Sequence, residues 1–320
     1  MIEDVWYDHF MDIIMVKYPK KTQLIKELMD LLCIEREATY RRLRKEVAFP
    51  ANEVVKIAAA WNISLDEIIG VNAGKVFFQM QPINYLDPSK REFSNLQKRV
   101  RSVDLLRNSS GSEYMDVCNK LPRSLTAGFP FVYKFAIFKW AYQYNNERME
   151  VLFSQTVVPE KVRREVADFY QNIKYVANTS FIFDSMIFEY LINDIRYFHS
   201  ILLITDEEKE QVKNDLLRLL DYLLDIANKG HYPETKKKVT LYISKINLNT
   251  NYSYYHTDTL KICRIHAFGK YDISTYDPEM VANFVLWMQL KKRTSVQISE
   301  VDAKGRVEFF AKQRQLIESL

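Results

Sequence analysis

Apolar residues follow two different spacings along this chain, and the change between them divides it. Up to about residue 70 they recur at every third or fourth position, the spacing of a helix with one buried face. Turn-forming residues such as Pro19 and Asn62 interrupt this pattern, which predicts five short helices. Because helices joined by tight turns form a compact all-α unit, we assign residues 1–72 to one domain.

The rest of the chain, residues 73–320, mixes long helical patterns with short alternating ones. Residues 129–226 are strongly apolar at helical spacing, whereas Val239, Leu241 and Ile243 alternate with polar neighbours, as in a half-buried strand. We therefore predict an α-rich α+β domain with a small antiparallel sheet near residues 239–276. A further short strand is predicted at residues 114–118, and the chain as a whole is predicted to be mainly α.

Two features of this second domain have an alternative interpretation. The dense aromatic runs at residues 129–144 and 181–198 are typical of core packing, and the alternative is a cavity for an effector molecule. The leucine face of residues 216–224 is typical of packing within the chain, and the alternative is contact with a second subunit. We favour the first interpretation in both cases.

The segment KELMDLLCIEREATYRRLRKEVAFPANEVVKIAAAWNISLDEIIG, residues 26–70, resembles the phage repressor/Cro class of helix-turn-helix domains. The likeness is strongest over residues 50–70, which resemble the fourth and fifth helices of that class. By this resemblance residues 24–32 form the positioning helix and residues 36–45 the recognition helix, which lies in the major groove of DNA. The sequence departs from the family in two places. Cys33 stands where the turn usually has glycine, and Tyr40 and Leu43 stand at the buried positions where Thr39 and Arg42 are expected.

The third predicted helix is short and carries a run of positive charge. At about 100° per residue, Tyr40, Leu43 and Val47 fall on one side of it and are predicted to face inward, while Arg41 and Lys45 face away. An arginine fork pairs with guanine in the major groove, and a basic residue at the helix start suits a phosphate. The alternative is a solvated helix face with no ligand. Our predicted DNA contacts are Arg41, Arg42, Arg44 and Lys45, with Arg36, Thr39 and Tyr40 as secondary ones.

Bulk composition neither supports nor opposes DNA binding. The formal net charge is +4, and the first seventy residues hold slightly more acidic than basic side chains. The prediction of DNA binding therefore rests on where the basic residues lie and not on their number. The three cysteines are far apart and odd in number, which indicates reduced thiols and a cytoplasmic protein. The N-terminus lacks the pattern of a signal peptide, and the most apolar segments carry charges that a membrane span would not.

Motifs of known catalytic chemistry are absent from the sequence. It has no P-loop, no GxGxxG, no GxSxG and no HExxH. His256, Asp258, Cys263 and His266 lie close together, but zinc sites usually show tighter paired spacing. We therefore predict no catalytic residues, no metal, no cofactor and no enzyme activity.

These patterns lead to one main functional hypothesis. The chain is predicted to be a cytoplasmic bacterial transcription regulator that binds double-stranded DNA as a homodimer, with no membrane contact. Its second domain would pair subunits or sense a signal, which leaves room for an unidentified small-molecule effector. The alternative is a protein-interaction module with a helix-turn-helix-like fold that does not bind DNA. A third hypothesis, an enzyme fused to a DNA-binding head, has only the unassigned strands in its favour.

Overall fold

The computed structural model describes residues 5–18, 20–69, 76, 78–80, 88–144, 151–268 and 271–320. The chain divides into two compact units, Met1–Phe77 and Phe78–Leu320, which we call the N-terminal and the C-terminal unit. The domain boundary predicted after residue 72 lies outside the described residues. Helices make up 57% of the structure, and the α+β class is confirmed.

The N-terminal unit is built from helices, as predicted. Each is amphipathic or very short, and together they enclose one apolar core in which Phe10, Leu28 and Ile57 are completely buried. The helices are α1 (Val5–Val16), α2 (Lys21–Leu32), α3 (Arg36–Leu43), α4 (Ala51–Trp61) and α5 (Leu65–Ile69).

Two of these helices end in a left-handed residue. Asn62 ends α4 with φ 54° and ψ 46°, as the sequence predicted, because asparagine tolerates this conformation. Cys33 ends α2 with the same angles, and its N–H donates to the carbonyl of Met29. The phage repressor class, which this segment resembles, usually has glycine at this turn, and a positive φ is the conformation that favours glycine.

The packing of α3 differs from the prediction. Thr39 is completely buried and donates its hydroxyl to the carbonyl of Glu35 at 3.1 Å, whereas Tyr40 is only half-buried. Val47 was predicted to face inward but is exposed, and Phe49 is buried in its place. The reason is that α3 ends at Leu43 and Lys45 adopts φ 62°, so the helical spacing does not extend to Val47.

The C-terminal unit contains a seven-stranded mixed sheet, so the prediction of a small antiparallel sheet near residues 239–276 was wrong. The order is β6-β5-β4-β1-β2-β3-β7; β1, β2 and β3 run parallel, and the remaining neighbours pair antiparallel. The strands are β1 (Glu113–Cys118), β2 (Asn178–Asp184), β3 (Lys238–Ser244), β4 (Tyr252–His256), β5 (Lys261–Phe268), β6 (Tyr271–Thr275) and β7 (Ser295–Gln297).

The strand β2 lies inside the stretch that was predicted to be wholly helical. Its residues are buried on both faces, so the segment SFIFD has no alternation of apolar and polar positions. A short, continuously apolar run of this kind cannot be told from a buried helix by periodicity. Because β2 joins β1 to β3, missing it meant missing the parallel half of the sheet.

Helices cover both faces of this sheet. The larger core lies on the face of Tyr114, Phe181 and Leu241, and α12 covers the other face near Val117 and Ile182. The helices are α6 (Pro88–Arg107), α7 (Arg123–Thr126), α8 (Pro130–Tyr144), α9 (Glu160–Asn172), α10 (Glu189–Ser200), α11 (Asp206–Lys229), α12 (Pro278–Arg293) and α13 (Ala303–Glu318).

The leucine face of residues 216–224 lies on α11 and packs within the chain. Leu216, Leu219 and Leu223 are completely buried within the chain, so this face is not available to a second subunit. The helix begins with a capping box formed by Thr205 and Glu208. In the described part of the chain no helix is both long and apolar enough to cross a lipid bilayer.

We expect Cys33→Gly to stabilise the N-terminal unit by about 0.5–1 kcal/mol, because glycine adopts positive φ without the steric conflict of a Cβ atom. Native-state hydrogen exchange of α2 and α3 in the full chain would measure the opening free energy. Asn62→Gly is the matched control at the same φ and should gain less, since asparagine already tolerates this region. A loss of stability in Cys33→Gly would contradict the argument.

Candidate nucleic-acid interface

The helices α2 and α3 are joined by a three-residue turn, Cys33 to Glu35, which is the connection expected in a helix-turn-helix. The left-handed Cys33 reverses the chain direction, and Ile34 donates its N–H to the carbonyl of Met29 at 3.3 Å. The inner side of α3 is then held in the core by Thr39 and Leu43. The opposite side of this eight-residue helix faces away from that core.

One flank of α3 carries a row of basic and aromatic groups. Arg36, Tyr40 and Arg44 follow one another at a spacing of four residues, so they form one line along the helix. The guanidinium carbons of Arg36 and Arg44 lie 5.7 and 5.6 Å from the centre of the Tyr40 ring. Both contacts are within the range of a cation–π interaction, so the ring orders its two neighbours.

Beside this row, Arg41 and Arg44 share one carboxylate. Glu46 lies 3.7 Å from Arg41 and 3.2 Å from Arg44, and both arginine side chains are more than half exposed. Ion pairs at such exposed positions contribute about 0–1 kcal/mol and are screened by salt. Both guanidinium groups therefore remain available to a stronger anionic partner.

Arg42 is placed differently from the other arginines. Its Nε and Nη2 donate to the two carboxylate oxygens of Glu53 at 2.6 and 2.9 Å, and its Nη1 donates to the carbonyl of Ala38. The two charged side chains are only 16% and 12% exposed. This paired, two-point contact ties α3 to the first turn of α4 and fixes how α3 is rotated.

Lys45 also has a partner within the N-terminal unit. Its ammonium donates to the carboxylate of Asp8 on α1, and this hydrogen bond raises the pKa of Lys45 above its ordinary value. Lys45 lies just after the end of α3, in a left-handed conformation. Its side chain is directed to α1 rather than continuing the row along α3.

Of the seven residues predicted to contact DNA, four have side chains that reach the solvent-accessible surface of α3. These are Arg36, Tyr40, Arg41 and Arg44. Thr39 and Arg42 hold α3 to the rest of the unit, and Lys45 binds Asp8.

Sequence reasoning missed Glu53 and Glu46. Glu53 was detectable, because it occupies a position on the apolar face of α4 together with Val54 and Ile57. A carboxylate on a buried face requires a cation nearby, and the arginines of residues 36–44 are among the candidates in the sequence. Glu46 gave no such signal, since it follows α3 in an exposed turn.

The residues considered for a metal site do not converge on one point. His266 Nδ1 lies 3.1 Å from an oxygen of Asp272, and His256 Nδ1 lies 4.0 Å from an oxygen of Glu113. Burial raises the pKa of Cys263 to about 12, so its thiol stays protonated and is a poor metal ligand. Among the described residues no group of three or more His, Cys, Asp or Glu side chains is placed to hold a metal.

Comparison with known proteins gives no further assignment. No family model, no curated protein and no solved structure matches this chain. The likeness of residues 26–70 to phage repressors therefore stays a prediction, and function is inferred from side-chain geometry.

We expect the pair of Arg42 and Glu53 to be energetically coupled. A double-mutant cycle with Arg42→Ala and Glu53→Ala should give a coupling free energy of about 1–2 kcal/mol. This value lies between those of exposed and of fully buried ion pairs. Hydrogen exchange of α3 and α4 in the full chain would measure it. The exposed pair of Arg44 and Glu46 is the control and should give less than about 0.5 kcal/mol. Equal coupling in both pairs would show that burial has no role here.

Proposed function

We propose that this chain is a sequence-specific DNA-binding transcription regulator, and that α3 is the helix that enters the major groove. The observation that carries the proposal is the solvent-accessible surface of α3, which presents three exposed arginines and the half-buried Tyr40, while the buried side of the helix is held by its core contacts. The three arginines are Arg36, Arg41 and Arg44. A groove-binding helix needs this combination of free cationic side chains and a fixed orientation.

The exposed side chains take different roles in this proposal. Arg41 and Arg44 have the planar fork that pairs with O6 and N7 of guanine, so we assign them to base edges. Arg36 lies at the start of α3 beside free backbone N–H groups, which suits a phosphate, and Tyr40 offers a hydroxyl to the DNA backbone. Arg42 is a positioning residue, because its guanidinium is engaged by Glu53.

Dimer formation is part of the proposal. Helix-turn-helix proteins usually bind two half-sites about one turn of DNA apart, and a two-fold homodimer matches such a site. We propose that residues 78–320 supply the pairing surface or sense a signal. Activation and repression are equally compatible with this arrangement.

One observation favours a protein partner instead of DNA. Glu46 lies close to both Arg41 and Arg44, and Glu37 is exposed on the same helix, so the outer side of α3 is partly neutralised. A protein-interaction surface tolerates this mixture of charges better than a DNA-binding surface does. Binding to random pools of duplex DNA separates the two functions.

We expect Arg41→Ala/Arg44→Ala to weaken binding to a selected DNA sequence by about 1–3 kcal/mol for each arginine that pairs with a base. Duplexes would first be selected from a random pool by the full chain, and affinity would then be measured by fluorescence anisotropy at a stated salt concentration. The matched control is Lys245→Ala/Lys304→Ala, which removes the same charge from exposed positions of the C-terminal unit. Unchanged selective binding in the α3 variant, with its folding intact, would refute the proposed interface.

The carboxylate of Glu46 competes with DNA for Arg41 and Arg44. We therefore expect Glu46→Gln to tighten DNA binding by about 0.3–1 kcal/mol, the range of an exposed ion pair. The same anisotropy titration measures it, and the gain should shrink as salt is added, since salt screens the original pair. Weaker binding in Glu46→Gln would mean that Glu46 itself contacts DNA, for instance as an acceptor for cytosine N4.

A further inference from the structure

The C-terminal unit contains a cavity of about 630 Å³ at the carboxyl end of β1. Residues of α6, α8 and α10 form its walls, and the segment that follows β1 forms part of its rim. Cavities of 300–1,000 Å³ are typical of small-molecule sites, and open α/β sheets usually bind ligands at the carboxyl ends of their strands. Its size and place therefore fit a small ligand.

Three adjacent strands supply the floor of this cavity. Asp116 of β1 pairs in register with Ser253 of β4, which pairs in register with Arg264 of β5. Residues in register across a sheet point to the same face, so these three polar side chains form one row. A polar row on a sheet face that otherwise carries the main core is unusual and requires partners for each member.

Asp116 has all its partners within the unit. Its two carboxylate oxygens accept hydrogen bonds from the hydroxyls of Tyr114, Ser124 and Ser253, the second at 3.2 Å. Burial is the largest influence on its pKa and raises it above the ordinary value, against the effect of these hydrogen bonds and of Arg99. Asp116 is therefore a weak counter-ion for the other end of the row.

Two other cations of the cavity are neutralised by acidic neighbours. Arg99 pairs with Asp272, and Lys139 pairs with Asp194. Burial alone would raise the pKa of Asp272, but Arg99 and His266 outweigh it and hold the pKa well below the usual range. These pairs are complete without a ligand.

Arg264 has no such acidic partner among the residues that the structure describes. It is 9% exposed, its Nη2 donates to the hydroxyl of Ser102 at 2.8 Å, and its guanidinium carbon lies 4.5 Å from the centre of the Tyr255 ring. Its Nη1 is buried and has no hydrogen-bond partner in the described part of the chain. A buried charge without a counter-ion is strongly unfavourable, so the arrangement points to an anion that is supplied from outside.

A second cation lies at the rim of the cavity. The Asn251 side chain fixes the backbone of Lys120 by accepting its N–H at 3.0 Å and donating to its carbonyl at 2.9 Å. Lys120 is exposed, and Asp194, the carboxylate that acts on its charge, is already paired with Lys139. Partial desolvation and, after it, the charge of Lys139 lower the pKa of Lys120, which a bound anion would oppose.

We propose that this cavity binds a small organic anion whose acidic group, a carboxylate or a phosphate, pairs with the guanidinium of Arg264. Lys120 adds a second positive charge to the same cavity and attracts the anion. Tyr133, Trp140 and Tyr190 line the wall and pack against the remainder of the ligand. This inference concerns the C-terminal unit alone, so a failure of the DNA-binding proposal would leave it unchanged.

The test is the melting temperature of the full chain with three probes: sodium phosphate, sodium succinate and adenosine monophosphate. Sodium chloride at the same ionic strength is the reference. At ten times its dissociation constant a bound anion should raise the transition of the C-terminal unit by about 3–6 °C. A response to phosphate and adenosine monophosphate assigns a phosphate, and a response to succinate assigns a carboxylate. No response to any probe above the chloride reference overturns the proposal.

Variants separate a binding role of Arg264 from a structural one. In the absence of an anion, Arg264→Met should leave the melting temperature unchanged or raise it, because the variant removes an uncompensated buried charge. The same variant should lose the response to the anion. A large fall in melting temperature without an anion would overturn the proposal, since it would show that contacts within the fold already stabilise the charge of Arg264.

Lys120→Gln tests the site without altering the buried polar row of Asp116, Ser253 and Arg264. Because Lys120 is exposed, we expect this variant to fold normally and to bind the responding anion about 5–10-fold more weakly, which isothermal calorimetry would measure. Lys245→Gln is the matched control, an exposed lysine away from the cavity, and should bind as the unaltered chain does. Equal losses of anion affinity in Lys120→Gln and Lys245→Gln would show that only the net charge of the protein matters. That result would contradict the proposed site.

Discussion

The orientation of α3 in the N-terminal unit depends on the contact between Arg42 and Glu53. The helix α3 has eight residues, of which only Thr39 and Leu43 are buried. Apolar packing alone therefore contributes little to its attachment to the neighbouring helices. The two-point pair with Glu53 adds a directional contact, which fixes rotation as well as distance. With that rotation fixed, Arg36, Tyr40 and Arg44 form one line along the flank of the helix. Because Glu53 engages Arg42, the other arginines of α3 are the ones left exposed.

The same physical constraint operates in the C-terminal unit. A cation inside a protein needs a counter-ion, and Arg99 and Lys139 have theirs in Asp272 and Asp194. Arg264 is the exception among the described residues that line the cavity floor, since its Nη1 is buried without a partner. The completed pairs belong to the fold, whereas the missing partner of Arg264 is the basis of the proposed anion site.

The predicted features that succeeded are those that local spacing determines. The amphipathic helices before residue 70 and the end of α4 at Asn62 follow from neighbouring residues, and both were predicted. Val47 was wrongly placed on the inward face because α3 stops at Leu43 and is followed by a left-handed lysine, which no local pattern marks. The parallel strand β2 was missed because burial on both faces erases the alternation that marks a strand.

The side-chain contacts at the two sites were not predicted because they join residues that are distant in sequence. Glu53 is eleven residues from Arg42, and Arg264 is 162 residues from Ser102, so neither relation shows in a local pattern. Both proposed sites use cations, and we expect ionic strength to affect them differently. In the proposed DNA complex the exposed arginines of α3 approach a polyanion, so binding would weaken steeply as salt rises. Arg264 is buried, where salt screens charges far less, so the proposed anion would stay bound at salt concentrations that release DNA.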